Sequence, residues 1–305
     1  MARRSTLRNA AEFAPAWLIL QVLRWAPLPM AKGIADAIAD LGRALTPRWR
    51  RTAQTNIAMA FPEWEAEKRA RILRECYRNL GRNLLAIARL PRLTPLNVGR
   101  WIHYDGFEHY ENALARGRGV IFLTAHLGAW ELSAAAHALY GHPMWLMVRP
   151  LDNPFLDRLI DARRRLFGNR TIRKKDSARE VLAVLRNNGA VGILADQNAG
   201  GSDGVFIDFF GHKASATKGV AQIAARTGAA IVPGFAVWDD ADQRYVLKFY
   251  PAIQLADSSD READLLENTQ RCQTAIEQAI RERPGQWLWI HRRWKRQPDG
   301  QPAVY

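Results

Sequence analysis

His126 and Glu131, in His126-Leu-Gly-Ala-Trp-Glu131, are the residues of this chain whose types and spacing best suit proton transfer. The apolar run Ile121-Phe-Leu-Thr-Ala125 leads into the histidine, and Leu132-Ser-Ala-Ala-Ala-His-Ala-Leu139 after the glutamate reads as a helix. A base at the end of a strand, with a carboxylate in the next turn, is a proton-abstracting pair. On one continuous helix two side chains at i and i+5 diverge by about 140°. That excludes the H-E-x-x-H metal arrangement, whose ligands sit at i and i+4. The pair works if His126 stands in a strand-to-helix turn and Glu131 projects from the first helical turn. Glu131 then accepts a hydrogen bond from one ring nitrogen, and the other nitrogen takes the proton. The competing reading is a capping or surface histidine.

No protein nucleophile accompanies the pair. There is no G-x-S-x-G, and Ser133 falls inside the expected helix. A base without a nucleophile implies direct attack by a substrate hydroxyl or by water. Walker A and G-x-G-x-x-G patterns are absent, and Gly200-Gly-Ser-Asp-Gly204 reads as a flexible connection. Cys76 and Cys272 are the two cysteines, and neither has a CxxC neighbour. A disulfide scaffold and a Cys-based zinc site are therefore not expected, and no metal or cofactor is implied.

The elements that must position these residues follow from apolar periodicity. Residues 1–60 read as helices with basic faces, and 64–90 as another helical stretch. Strands are expected at Val120–Ala125, Met144–Val148, Val191–Ala195, Ala230–Trp238 and Tyr245–Tyr250. Helices are expected at Leu132–Leu139, Pro154–Phe167, Ser177–Arg186, Thr217–Thr227 and Asp264–Arg283, the last stopped by Pro284-Gly285. Short continuous apolar strands alternating with helices indicate an α/β fold, a mixed, mostly parallel sheet covered on both faces. His126, Arg149 and Asp196 each fall just after an expected strand, where open α/β sheets bind ligands. One α/β domain over residues 61–305, preceded by a helical segment over residues 1–60, is the simplest division.

A formal net charge of +14 on 305 residues points to an anionic partner. Basic residues concentrate in 1–51, 158–175 and 281–296, and Trp17, Trp25, Trp49, Trp287, Trp289 and Trp294 lie in the first and last of these. Indole beside Arg and Lys suits a membrane interface. For Trp287, Trp289 and Trp294, beside Arg292 and Arg293, core packing is an equal alternative to an interfacial face. The apolar run from Phe13 to Leu23 is cut by Arg24, short of the roughly 20 residues that a span requires, so a helix lying in the interface is expected. No helix-turn-helix, RRM or zinc-finger pattern supports nucleic-acid binding.

Several blocks in order resemble the late acyltransferases of lipid A biosynthesis, the lauroyl/myristoyl type within the lysophospholipid-acyltransferase-like enzymes. His126-Leu-Gly-Ala-Trp-Glu131 is similar to their H-x4-D/E box. Arg149-Pro-Leu-Asp-Asn-Pro154, Arg163 to Gly168, Ala195-Asp-Gln197, Asp208-Phe-Phe-Gly211, Ala216-Thr-Lys-Gly219 and Pro284-Gly-Gln-Trp-Leu-Trp-Ile-His-Arg-Arg-Trp-Lys295 resemble further blocks, as does Asn56–Pro62. The resemblance covers about residues 50–296 and implies a glycerolipid acyltransferase-like fold. It implies transfer of an acyl chain from acyl carrier protein or acyl-CoA to a hydroxyl of an anionic glycolipid, at the cytoplasmic face of a bacterial inner membrane. In it His126 is the general base and Glu131 its orienting acid. Arg149 and Arg163 contact phosphate or the oxyanion, and Asp196 gives polar support. Relatives of this type also acylate other lipids, so an ornithine lipid, a phosphoinositide mannoside or another glycolipid is an alternative acceptor. A non-catalytic basic scaffold is the remaining reading, and it would tolerate His126→Ala.

Overall fold

A computed structural model of the chain describes residues 5–173 and 178–305. The first four elements are helices: α1 (Thr6–Trp25), α2 (Leu28–Leu45), α3 (Pro47–Ala60) and α4 (Ala66–Arg89). After them come β1 (Ile102–Asp105), α5 (Glu108–Leu114), β2 (Val120–Thr124), α6 (Trp130–Leu139), β3 (Trp145–Val148), α7 (Pro154–Arg164), β4 (Arg170–Arg173), α8 (Ala178–Arg186) and β5 (Ala190–Leu194). A hairpin of β6 (Gly204–Phe209) and β7 (His212–Thr217) leads to α9 (Gly219–Thr227), β8 (Ala230–Asp239), β9 (Arg244–Phe249) and α10 (Arg261–Glu282).

The main sheet has the order β1-β9-β8-β2-β5-β3-β4. Its five strands from β8 to β4 run parallel, β9 is antiparallel to β8, and β1 is parallel to β9. β2 lies near the middle, and every residue in it is buried. Successive side chains of a strand point to opposite faces. Ile121 and Leu123 accordingly join the core beneath α8, α9 and α10, while Val120 and Phe122 join the core beneath α5 and α6. Burial on both faces is why β2 reads as an unbroken apolar run and not as an alternating one.

Local chemistry sets the helix ends near the site. The Asn153 side chain caps α7 by accepting from the amide of Phe155 at 3.0 Å, and Pro154 takes the first helical position. Asp260 caps α10 in the same way, accepting from the amides of Glu262 and Ala263. Gly228, at φ 72°, ends α9 in the left-handed conformation.

The mixed, mostly parallel sheet agrees with the sequence expectation, as do helices over most of residues 6–60. The expected helix at Ser177–Arg186 begins, among described residues, at Ala178, and Ser177 lies outside them. Four features were not expected: β1, the helix α5, the edge strand β4 and the β6–β7 hairpin. β4, Arg-Thr-Ile-Arg, has a single buried residue, so it carries little apolar signal. The Gly200–Gly204 segment, expected as a connection, contains a short 3-10 turn at Gly201–Asp203 that feeds the hairpin.

The C-terminal tryptophans resolve to the core. Trp287, Trp289 and Trp294 are 1%, 0% and 0% exposed, and Arg293 is fully buried with them, so they form no interfacial face; Arg292 stays at the surface. The N-terminal tryptophans differ. Trp17, Trp25 and Trp49 are 44%, 63% and 55% exposed. α2 packs on α4 through Ala31, Ala35 and Ala39, and a Cβ on Gly81 would come within 2.6 Å of the Ala35 carbonyl oxygen. This small-residue seam leaves Leu41 and Leu45 of α2 facing outward. Leu7, Leu18, Val22 and Trp25 are likewise exposed along α1, with the last three at helical spacing. Among the described residues no helix is long and apolar enough to cross a membrane.

Candidate active site

Sheet register brings the site together. Thr124 of β2 pairs with Leu194 of β5, and the Ala195 amide continues the ladder to the Thr124 carbonyl at 3.1 Å. His126 and Asp196 each lie two residues beyond that pair, side by side at the carboxyl edge of the sheet. Asp196 accepts from His126 twice: from the ring Nδ1 at 2.9 Å through Oδ1, and from the backbone amide at 3.0 Å through Oδ2. The indole Nε1 of Trp287 donates to Oδ2 as well, at 2.8 Å. Burial alone would raise the Asp196 pKa. The facing His126 ring and these hydrogen bonds outweigh it and hold the carboxyl at about 2, so it is ionised at neutral pH.

The turn that carries His126 is fixed by backbone bonds. The Leu288 amide donates to the His126 carbonyl, the Gly128 amide to the Gln286 carbonyl, and the Ala129 amide to the Ala236 carbonyl at 2.8 Å. Asn79 and Asn83 of α4 both donate to the Gly128 carbonyl. Gly128 has φ +62°, and a Cβ there would fall 1.8 Å from the Ala236 oxygen, so the second position after the histidine requires glycine. Behind Asp196, Gln273 of α10 donates to the Ala195 carbonyl at 2.9 Å. Gln273 accepts in turn from buried Arg293 at 3.1 Å. Burial lowers the Arg293 pKa to about 10, against the opposing pull of Asp196. His291, whose pKa is lowered to about 4 by burial, accepts from the Asn198 amide and holds the next turn of the loop. The C-terminal segment thus braces the Asp196 loop from behind.

Glu131 does not reach His126. It stands in the first turn of α6, and Arg164 Nε donates to both of its carboxylate oxygens, at 2.9 and 3.1 Å. Burial alone would lower the Arg164 pKa, and the Glu131 carboxylate outweighs it and raises it. The spacing argument correctly placed His126 in a turn and Glu131 on the helix. The partner of Glu131 comes from α7 and the acid on His126 from the end of β5, and neither is visible in a local motif.

Arg163 departs from its expected role of contacting phosphate or an oxyanion. It is 5% exposed, and its Nη1 donates to the Ile87 and Ala88 carbonyls, capping the C-terminal end of α4. Burial lowers its pKa. Adjacent helical residues point about 100° apart, so its neighbour Arg164 enters the site instead. Arg149, in the loop after β3, does line the cavity.

That cavity, of about 790 Å³, opens at the carboxyl edge of the sheet. Its polar wall carries His126, Glu131, Arg149, Arg164, Gln197 and Lys218. Its apolar wall includes Phe122, Met144, Leu146, Val181 and Ile193. Gly192 on β5 lines it too, and a Cβ there would press within 3.0 Å of the Met144 sulfur. Trp130 meets the His126 ring edge to face, with centroids 5.1 Å apart. Cys76 and Cys272 are buried in the core, where desolvation pushes both thiols up to about 12, so neither is a nucleophile. Among the described residues no cluster of His, Cys, Asp or Glu is arranged to hold a metal ion.

Comparison with known proteins bears on a cavity that joins a histidine–carboxylate pair, a cationic rim and an apolar recess. A family model described as "Bacterial lipid A biosynthesis acyltransferase" matches residues 2–296. The chain is 26% identical over 290 residues to the "Lipid A biosynthesis palmitoleoyltransferase" of Escherichia coli strain K12, covering 95% of this chain and 91% of that one. It is 25% identical over 291 residues to the "Lipid A biosynthesis lauroyltransferase" of the same strain, covering 95% and 92%. To a "Lipid A biosynthesis acyltransferase" of Haemophilus influenzae it is 25% identical over 254 residues, covering 83% and 77%. The chain belongs to the bacterial lipid A biosynthesis acyltransferase family, a family of O-acyltransferases.

Proposed function

We propose that this protein moves a fatty acyl chain from the thioester of an acyl carrier protein to a hydroxyl of a lipid A precursor, with His126 as general base and Asp196 as the acid that orients it. The observation that carries this reading is the pairing of His126 Nδ1 with a buried, ionised Asp196. It fixes the proton on Nδ1 and turns the electron pair of Nε2 to the cavity, where the Gln197 side-chain amide stands 3.4 Å away and would give way to the acceptor hydroxyl. Nε2 takes the proton of the acceptor hydroxyl as its oxygen attacks the thioester carbonyl carbon. The tetrahedral intermediate then collapses, the C–S bond breaks, and the imidazolium returns its proton to the leaving thiolate. No covalent enzyme intermediate is needed. Asp196 stabilises the imidazolium while it lasts.

Glu131 has a different task, which is to hold Arg164. Arg164 spends Nε and Nη2 on Glu131 and keeps Nη1 for a phosphate or the developing oxyanion. Arg149 and Lys218 on the same wall favour the phosphates of the acceptor. The apolar wall along Phe122, Met144 and Leu146 suits the donor's acyl chain, and the missing side chain at Gly192 lets Met144 and Leu146 pack closely against β5. General base catalysis contributes roughly 10²–10⁴-fold, and positioning and charge stabilisation supply the rest. The exposed apolar residues of α1 and α2 support a reading in which both helices lie in the plane of the inner membrane, beside the lipid substrate.

The test offers purified protein acyl carrier protein thioesters of several chain lengths and a lipid A precursor, with product read by mass spectrometry. Addition of one acyl chain, abolished in His126→Ala, is expected. Absence of transfer to this acceptor, with transfer to an ornithine lipid or a phosphoinositide mannoside, would replace the acceptor. Transfer that survives His126→Ala would remove the mechanism.

A further inference from the structure

A second hollow, of about 300 Å³, lies on the β8–β9 flank of the molecule. Lys32 of α2, Arg89 at the end of α4, Arg92 and Arg100 in the turns that follow, and Arg244 of β9 line it, and no carboxylate does. Asp242 neutralises Arg244 at 3.1 Å. Among the described residues the other four are in no ion pair. Arg89 is 7% exposed, its Nε has no hydrogen-bond partner among the described residues, and burial together with Arg92 lowers its pKa. Gathering partly desolvated like charges around one cavity costs free energy that a bound anion would return.

Packing explains only part of this cluster. Arg89 Nη2 donates to the Ala26 carbonyl and Arg92 Nη1 to the Arg24 carbonyl, so both satisfy the C-terminal carbonyls of α1. Lys32 and Arg100 are exposed and have no such task; Lys32 lies over the Trp238 ring, 5.7 Å from its centroid. The rim is apolar: Leu28 lines the hollow, and the exposed ring of Trp25 sits under Arg24 and Arg92. Cations around a small hollow, with an exposed indole at its edge, match a phosphate held at a bilayer surface. α1 links this hollow to the active site. Its Asn9 carbonyl accepts from Asn153, the cap of α7, about 24 Å along the helix from Trp25.

We propose that this hollow binds the phosphate of an anionic membrane phospholipid, so that a bilayer lipid clamps one end of α1 while the active-site cavity lies at the other. The proposal does not depend on acyl transfer. It is tested by co-sedimentation of the full chain with phosphatidylcholine vesicles, with and without phosphatidylglycerol, at fixed ionic strength. Phosphatidylglycerol is expected to tighten binding of the wild type, and the double variant Lys32→Gln/Arg100→Gln to lose roughly 30-fold of that gain. Both positions are exposed, and the arginine contacts to α1 stay in place. Arg116→Gln/Arg118→Gln removes the same charge at the opposite, amino-terminal edge of β2 and is expected to keep the gain. Equal losses in the two double variants, or no loss in either, overturn the proposal in favour of diffuse charge. Inorganic phosphate separates the sources. If it binds wild type and not Lys32→Gln/Arg100→Gln while vesicle binding is equal in both, the hollow takes free phosphate and the lipid assignment falls. Loss of acyl carrier protein binding with vesicle binding intact would make it a protein-docking surface instead.

Discussion

His126 and His137 stand at either end of the same turn-and-helix unit, and only His126 has the partner and the access that the proposed proton transfer needs. His126 is 22% exposed at its side chain, faces the cavity, and gives Nδ1 to an ionised carboxylate. His137, toward the end of α6, is fully buried among the rings of Tyr110, Phe122 and Phe249. Its Nδ1 meets the Tyr104 hydroxyl at 2.6 Å, and its Nε2 has no partner among the described residues. Desolvation, helped by His142, drops its pKa to about 3, so it stays neutral throughout the physiological range. The difference teaches that a histidine becomes a base through its second partner and its access. An aromatic cage turns the same imidazole into a packing piece.

Substitutions at the two sites should therefore separate activity from stability. The largest effect is expected at the first: His126→Ala and Asp196→Asn each lower kcat/KM for acyl transfer by roughly 10²–10⁴-fold, with little change in donor KM. Retained activity in Asp196→Asn would break the contrast between the two histidines. Glu131→Ala comes next. It strands the partly buried Arg164 charge and costs about 3 kcal/mol in denaturant unfolding, with a rise in acceptor KM. A fall in kcat alone, without loss of stability, would return Glu131 to His126. His137→Phe is expected to cost about 1–3 kcal/mol by stranding the Tyr104 hydroxyl and to leave kcat/KM within about twofold.

The smallest effect is a difference in pH dependence. Because the folded His137 pKa lies below its ordinary value of 6.5, the unfolded chain binds more protons below that pH. The stability tied to neutral His137 is fully present above about pH 6.5 and is lost as pH falls toward 3. Unfolding free energy measured over that interval should decline more steeply in wild type than in His137→Phe. Equal slopes would show that the cage does not hold the ring neutral.

Much of this was legible in the sequence because it depends on local signals. The central strands β2 and β5 are buried and read as apolar runs, with His126 and Asp196 two residues beyond their ends, and Arg149 follows the half-buried β3. What stayed hidden depends on pairing between distant segments. Asp196 meets His126 through the register of β2 with β5, a contact that no motif spacing encodes. Arg164 rather than Arg163 enters the cavity because of the rotation of α7 about its axis, set by Arg163 capping α4. A run of three arginines at 163–165 gives no periodic signal to choose between them. The C-terminal tryptophans illustrate the same limit. Their composition beside arginine fits an interface, but Trp287 donates to Asp196 and Trp289 to the Pro284 carbonyl deep in the core. The Gly128 requirement was not read from the sequence, because its cause is the Ala236 carbonyl on a neighbouring strand.

The tautomer of His126 is the most direct test of the central claim that Asp196, not Glu131, prepares the base. Two-bond nitrogen–proton NMR of the full chain labelled with ¹⁵N-histidine reports which ring nitrogen carries the proton. At neutral pH the proton is expected on Nδ1 in wild type and in Glu131→Gln, and the population is expected to shift to Nε2 in Asp196→Asn. A tautomer unmoved by Asp196→Asn but switched by Glu131→Gln would contradict the assignment.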